Sequence, residues 1–263
     1  MLMKIVACQI DCVWEDKKAN YAKVRSLLDA AAIPPGALVI LPEMFSTGFS
    51  MNVAGIQESE PSETEAFLAG LAIHYGVFTL GGVVKPGAAG RGRNEAVVFN
   101  PAGKLISRYC KIHPFTFGGE ANHYEGGEEI VTFPCGDFVV APFICYDLRF
   151  PEIFRIATQR GAQLLAVIAN WPAQRVHHWT ALLQARAIEN QAFVVGVNRT
   201  GDDPKLGYPG RSLIIDPRGE ILADGAEEER VVSADVDVKQ LIAWRNEFPS
   251  LRDMRTKFVL ASD

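Results

Sequence analysis

One stretch limits the possible folds most sharply: Phe138-Val-Val-Ala-Pro-Phe-Ile-Cys145-Tyr-Asp-Leu-Arg-Phe-Pro-Glu152. An apolar run ends at a cysteine, a charged turn follows, and Pro151 stands where a first helical turn does not need an N–H. Phe154, Ile156 and Ala157 continue a helix that stops at Gly161, and Leu164 to Ala169 is a second apolar run. Strand, turn, helix, strand is a parallel crossover unit. Open α/β sheets hold their ligands at the carboxyl ends of such strands. Cys145 is therefore expected at a sheet edge, placed to act as a nucleophile.

The flanking sequence repeats this alternation. Lys4 to Gln9 reads as a buried strand, Asn20 to Ala32 as a helix with apolar residues at helical spacing, and Leu38 to Leu41 as a second buried strand. A helix over Glu63 to Tyr75 ends at Gly76. A strand over Val77 to Val84 and a hairpin, Asn94 to Asn100 with Lys104 to Tyr109, follow. The loop from Lys111 to Gly127, rich in His, Phe, Gly and Glu, is long enough to be functional. Beyond it come a strand Ile130 to Phe133, the Cys145 unit, a helix His177 to Asn190 and a strand Ala192 to Asn198. After a glycine-rich loop to Gly210 there is a hairpin (Ser212 to Asp216, Glu220 to Ala223), then a strand Val231 to Val236 and a helix Val238 to Asn246. Both halves read strand, helix, strand, helix, strand, hairpin, a coarse internal repeat. The expectation is a single α/β domain over residues 1–263, with helices covering both sides of mixed sheets in a layered sandwich.

Composition excludes several function classes. The chain carries a net charge of -5 with no long basic tract, which argues against nucleic-acid binding. No apolar run reaches membrane-spanning length and the N-terminus lacks a signal-peptide layout, so no membrane association and a cytoplasmic location are expected. The five cysteines include no Cys-x-x-Cys pair. Neither a disulfide framework, a metal site nor a cofactor is expected, and Cys8, Cys12 and Cys135 read as small buried hydrophobes.

A cysteine nucleophile needs a proton acceptor and donors aimed at the oxygen that becomes negative. The five histidines, at 74, 113, 123, 177 and 178, do not end strands at the expected edge. Glu43 does, following the strand Leu38 to Leu41, and Lys111 follows the strand Lys104 to Tyr109. Three strand ends can thus bring a carboxylate, an ammonium and a thiol into one cleft. A nearby cation lowers the thiol pKa and an ionised carboxylate raises it; the sequence leaves the balance open.

Leu-Pro-Glu43, Lys111-Ile-His and Cys145-Tyr-Asp-Leu-Arg-Phe-Pro-Glu152 resemble, in order, the three signatures of the nitrilase superfamily of carbon–nitrogen hydrolases. The likeness extends to Asn170-Trp-Pro172 and Ala185-Arg-Ala-Ile-Glu-Asn190. Leu-Pro-Glu43-Met-Phe-Ser-Thr-Gly48, Asn170-Trp-Pro and Phe248-Pro-x-x-x-Asp253 look most like the omega-amidase branch. The resemblance implies a four-layer α-β-β-α sandwich. It also implies Glu43 as general base, Lys111 as oxyanion-stabilising cation, Cys145 as nucleophile, and Glu120 as the second glutamate after the lysine. The substrate implied is a small-molecule amide, a short 2-oxo acid with a terminal amide, cleaved to acid and ammonia. A homodimer is implied through Phe154 to Gln159 and Leu241 to Phe248.

Around this centre, Tyr146 is expected to offer its backbone N–H to the oxyanion and Asn170 a backbone contact. Arg149 is either the anchor for a substrate carboxylate or a structural partner of Glu152 or Asp147. Phe117, Trp171 and Trp179 are either pocket walls or core. Arg186 and Glu189 read as a buried structural ion pair. Other hydrolases of amides, carbamoyl groups or nitriles, and a non-catalytic or redox-sensing protein built around Cys145, are the alternatives.

Overall fold

Two β-sheets face each other in the computed structural model, which describes residues 2–255. The first holds β1 (Leu2–Gln9), β2 (Leu38–Ile40), β3 (Phe78–Pro86), β4 (Gly92–Phe99), β5 (Leu105–Cys110) and the short β6 (Tyr124–Glu125). The second holds β7 (Phe133–Cys135), β8 (Phe138–Ile144), β9 (Leu164–Ala169) and β10 (Phe193–Asn198). A separate ribbon, β11 (Thr200–Asp202) with β12 (Gly207–Pro209), precedes β13 (Leu213–Ile215) and β14 (Ile221–Asp224), which complete the second sheet. β15 (Arg230–Asp237) returns to the first sheet, antiparallel to β1. The helices are α1 (Lys17–Asp29), a single turn α2 (Val53–Ile56), α3 (Glu63–Tyr75), α4 (Pro151–Gln159), α5 (Val176–Asn190) and α6 (Val238–Glu247).

The coarse repeat of the sequence is a repeat of topology. β1-β2-β3-β4-β5 and β8-β9-β10-β13-β14 run in the same spatial order. In each set two parallel pairings are followed by two antiparallel ones. Side-chain alternation then builds the layers, since successive residues of a strand point to opposite faces. Ile5, Ala7, Leu38, Ile40, Ala96 and Val98 share a buried cluster with residues of the second sheet such as Val140, Ala166 and Val195. The intervening Val6, Cys8, Val39, Leu41 and Val97 pack instead with Val24 and Leu28 of α1 and with Phe67, Leu68 and Leu71 of α3. Every residue of β9 and β10 is buried, because Phe154 and Ala157 of α4 and Trp179, Leu183 and Ala187 of α5 cover their outer face. The order is helix, sheet, sheet, helix, the four-layer sandwich expected.

Departures from the expected elements have local causes. α1 begins at Lys17 rather than Asn20 because the Asp16 side chain accepts from Ala19 N and caps the helix there. The strand expected over Ile130 to Phe133 begins at Phe133. The two-residue turn Gly136-Asp137 pairs Cys135 with Phe138 and fixes the register back only to Phe133. The loop after Lys111 contains two single 3₁₀ turns, Thr116–Gly118 and Glu120–Asn122, and β6. Among the described residues no helix is long and apolar enough to cross a membrane.

Candidate active site

Three strand ends converge where the two sheets meet. Glu43 follows β2 through Pro42, Lys111 follows β5, and Cys145 follows β8. The turn after Glu43 lies directly on β3. A Cβ added at Gly82 would sit 2.3 Å from Met44 N and 2.8 Å from Glu43 Cα, so only glycine admits this approach. Met44 and Cys145 both adopt positive φ, 44° and 49°. That conformation is uncommon outside glycine and clusters at functional sites.

Glu43 is fully buried. Its Oε1 accepts from Lys111 Nζ at 2.9 Å and from Asn94 Nδ2 at 2.7 Å. Its Oε2 accepts from the backbone N–H of Asn170 at 2.9 Å. Lys111, 1% exposed, also donates to Glu120 Oε2 at 2.8 Å, and its ammonium lies 5.3 Å from the centre of the Phe49 ring. Glu120 accepts from Asn94 Nδ2 at 3.0 Å and from Phe115 N at 2.6 Å. Two carboxylates thus share one ammonium and one amide, away from water, where partners are required.

The charges sort themselves accordingly. Burial favours a neutral Glu43, but the Lys111 charge and hydrogen bonds from Lys111, Asn94 and Asn170 outweigh it, so its carboxyl is held below the ordinary range. Burial, reinforced by the charge of Glu43, pushes Glu120 up despite Lys111. Burial opposes the Lys111 charge, and Glu120 and Glu43 overcome it, raising its pKa well above that of a free lysine. For Cys145, burial and then the Glu43 charge win over Lys111, and the thiol is raised well above its ordinary value. The resting set is a carboxylate, an ammonium and a neutral thiol. That thiol points at the backbone carbonyl of Asn170, 3.9 Å away.

Asp147 ties the cysteine turn to the lysine strand end. Its Oδ2 accepts from Ile144 N at 3.0 Å and Tyr109 OH at 2.7 Å, and its Oδ1 accepts from His113 N at 3.0 Å. Tyr109 and His113 flank Lys111 at two residues on either side, and Asp147 lies two residues after Cys145. The His113 ring stacks on Phe150 with centroids 3.7 Å apart. Among the described residues no histidine lines the cavity that receives Cys145.

The free space of that cavity, its open mouth included, is about 400 Å³. Phe49, Phe115, Tyr146, Trp171 and Tyr208 form its aromatic walls, and Cys145 and Asn170 lie in its lining. Tyr208 is presented by the β11–β12 ribbon. The buried Arg199 guanidinium lies 4.5 Å from the Tyr208 ring and donates to the Asp202 carbonyl at 2.8 Å. Arg149 and Arg175 supply positive charge to the cavity. Arg149 lies 4.8 Å over Trp171 and contacts His178 Nδ1 at 3.2 Å. Among the described residues it pairs with neither Glu152 nor Asp147. Arg175 lies 5.5 Å over Phe115.

Of the residues expected from sequence, Glu43, Lys111, Glu120, Cys145, Tyr146, Arg149, Asn170 and Trp171 come together here. Two pocket-wall candidates do not. Phe117 is 85% exposed at the tip of its 3₁₀ turn, and Trp179 is fully buried in the core, donating to the Arg211 carbonyl at 2.7 Å. Arg186 is buried and bonded to Glu189 Oε1 at 2.9 Å and to the Leu148 carbonyl at 2.6 Å, a structural role as expected. Burial pushes the Cys8 and Cys135 thiols up to about 12, and that of Cys12 to about 11. Sequence reasoning missed Asn94, Phe49, Arg175 and Tyr208. Asn94 carried little signal, an amide between Arg93 and Glu95 at the polar end of β4. Arg175 follows the Asn170-Trp-Pro172 motif closely enough to have been considered.

The sequence matches the carbon-nitrogen hydrolase family over residues 4–246. It is 38% identical to omega-amidase YafV of Yersinia enterocolitica, with 98% of each chain covered. It is 33% identical to 2-oxoglutaramate amidase of Bacillus subtilis, over 97% of this chain and 98% of that one. A solved CN-hydrolase superfamily protein of Xanthomonas campestris, with an arsenic adduct in its active site, superposes with a TM-score of 0.91. It is 33% identical, with 97% of this chain and 98% of that chain covered. With the nitrilase fold, its three converging strand ends and this match across nearly the whole sequence, the chain belongs to the carbon–nitrogen hydrolase family.

Proposed function

We propose that the protein hydrolyses the terminal amide of a short 2-oxo or related dicarboxylic acid monoamide, releasing the acid and ammonia through a cysteine thioester. The observation that carries this reading is the buried Glu43–Lys111–Glu120 set beside Cys145, opening into a cavity with two guanidiniums. The omega-amidase and 2-oxoglutaramate amidase names of the relatives support the same substrate class.

In the first half-reaction Cys145 Sγ bonds to the amide carbon while its proton passes to Glu43. A carboxylate held below its ordinary range is a weak base for a thiol held above its own. Transfer therefore accompanies C–S bond formation, when negative charge is leaving sulfur for the carbonyl oxygen. That oxygen is received by Lys111 Nζ and the backbone N–H of Tyr146. Glu43 returns the proton to nitrogen, the C–N bond breaks and ammonia departs. Glu43 next takes a proton from water as its oxygen attacks the thioester. The C–S bond breaks and the proton goes back to sulfur. Glu120 holds Lys111 in line throughout. Arg149 and Arg175, stacked on Trp171 and Phe115, keep N–H edges for the substrate carboxylate.

A homodimer fits the exposed apolar side chains Ile188 of α5 and Ile242 of α6, and Phe248 beyond it. The expected contribution of Phe154 is not available, because that ring is buried within the subunit.

Ammonia release across short omega-amides, with and without a 2-oxo acid group, tests the reading. Turnover of the anionic amides in preference to neutral ones is expected. Turnover of neutral amides or nitriles alone overturns the substrate assignment.

A further inference from the structure

Asn94 is a buried amide whose two halves are treated differently. Its Nδ2 donates to Glu43 Oε1 at 2.7 Å and to Glu120 Oε1 at 3.0 Å, so both amide hydrogens go to carboxylates. Its Oδ1 is buried and accepts nothing among the described residues. The orientation is fixed by its neighbours, since a flipped amide would turn its oxygen toward two carboxylates. A buried acceptor left unused is costly. The side chain therefore serves this site through its donors, not through balanced satisfaction.

The backbone adds a second tie. Asn94 lies in β4, and its carbonyl accepts from Lys111 N at 2.9 Å, so the amide and the ammonium enter the site from adjacent strands at a fixed offset. Lys111 Nζ bridges Glu43 Oε1 to Glu120 Oε2, and Asn94 Nδ2 bridges Glu43 Oε1 to Glu120 Oε1. Glu43 and Glu120 are thus clamped together at two points, one charged and one neutral. A second cation in place of the amide would bring further positive charge to the thiol and the base. A neutral double donor holds the two carboxylates together without that charge.

We propose that Asn94 is a positioning residue for the reaction: through its two donated hydrogen bonds it sets the orientation of Glu43 against Glu120 and keeps Glu43 ionised as the proton acceptor. The groups whose charge reaches Glu43 are Lys111, Glu120, the Cys145 thiol and the Tyr124 hydroxyl. Of these, only the Lys111 ammonium favours the carboxylate form. Loss of the Asn94 donors leaves that single cation shared between two acids, so Glu43 takes up a proton at higher pH.

This inference rests on the amidase reading, with Glu43 as the base, and the test separates the two. The pH dependence of kcat/KM is measured for wild type, Asn94→Ala and Asn94→Ser with an amide that wild type turns over. In parallel, the carboxyl signals of 13C-labelled glutamate are titrated by NMR, with that of Glu43 assigned by its loss in Glu43→Gln. For Asn94→Ala the acidic limb should move up by about one pH unit and kcat/KM at neutral pH should fall about 10–100-fold, mostly in kcat. Asn94→Ser, which keeps one hydroxyl donor, should fall between it and wild type and serves if the alanine variant does not fold. The Glu43 NMR signal should titrate at correspondingly higher pH. A pH profile and a Glu43 titration that superimpose on wild type, with only the melting temperature lowered, overturn the proposal. Absence of amide turnover by wild type overturns the amidase reading instead, and the NMR titration still decides the role of Asn94.

Discussion

The Cys145 thiol rests 3.9 Å from the backbone carbonyl of Asn170, while the backbone N–H of that same Asn170 holds Glu43 Oε2 at 2.9 Å. The proposed nucleophile and base are thus positioned by opposite sides of one strand end, and the thiol is not ion-paired in advance. This differs from cysteine enzymes in which a histidine has already taken the proton.

A pH profile follows from that arrangement. The proposed mechanism needs Glu43 ionised and Cys145 protonated. Glu43 is held below its ordinary 4.5 and Cys145 well above its ordinary 9.0. On acidification the raised Glu120 takes the first proton, and activity is lost only when Glu43 follows. The log of kcat/KM is therefore expected to be flat from about pH 5 to 9. Alkylation of Cys145 by iodoacetamide should stay slow at pH 7 and rise only at strongly alkaline pH. An alkylation rate already at its plateau at pH 7 would show a preformed thiolate.

Lys111→Met removes the cation shared by the buried carboxylates Glu43 and Glu120. Breaking such a pair leaves uncompensated charge and costs about 3–5 kcal/mol. Urea or thermal unfolding should show this loss at neutral pH. In folded protein kcat should drop at least about 10²-fold through loss of an oxyanion donor. A variant with wild-type kcat would remove Lys111 from the reaction.

Arg149→Gln should act on substrate choice. Loss of a charged hydrogen bond to a carboxylate is worth about 1.5–3 kcal/mol, or about 10–100-fold in kcat/KM. That loss is expected for omega-amides with a free carboxylate, mainly in KM, and is expected to be absent for neutral amides. Equal loss on both would point to Arg149 holding the Cys145 turn rather than the substrate.

The two aromatics that lie outside the cavity make a paired check. Trp179→Ala empties a core position packed against Leu183 and β10 and should cost about 3–5 kcal/mol in unfolding free energy. Phe117→Ala, at an exposed turn, should change stability by under about 0.5 kcal/mol and leave KM unchanged.

These two residues also show where the sequence was legible. Local pattern identified α3 to the residue and the strand ends carrying Glu43, Lys111 and Cys145, because apolar runs and punctuating glycines and prolines are local signals. The repeat of strand order was visible as a repeat of element types. An aromatic next to a motif carries no mark of which way it faces. Trp171 turned into the cavity, while Trp179 turned toward β10, where a Cβ at Gly196 would clash with its ring at 2.7 Å. Asn94 and Tyr208 were missed because they reach the site through sheet pairing and through the Arg199-braced ribbon. Both are contacts distant in sequence that no spacing encodes.

The most direct test is acid quenching of the enzyme during turnover of a carboxylated omega-amide, followed by mass spectrometry of the Cys145 peptide. The expected result is a mass gain equal to the amide less ammonia, confined to Cys145 and absent from Cys145→Ala, which should release no ammonia. A Cys145→Ala protein that still hydrolyses the amide, with no acyl adduct on the wild-type peptide at any quench time, would contradict the thioester mechanism.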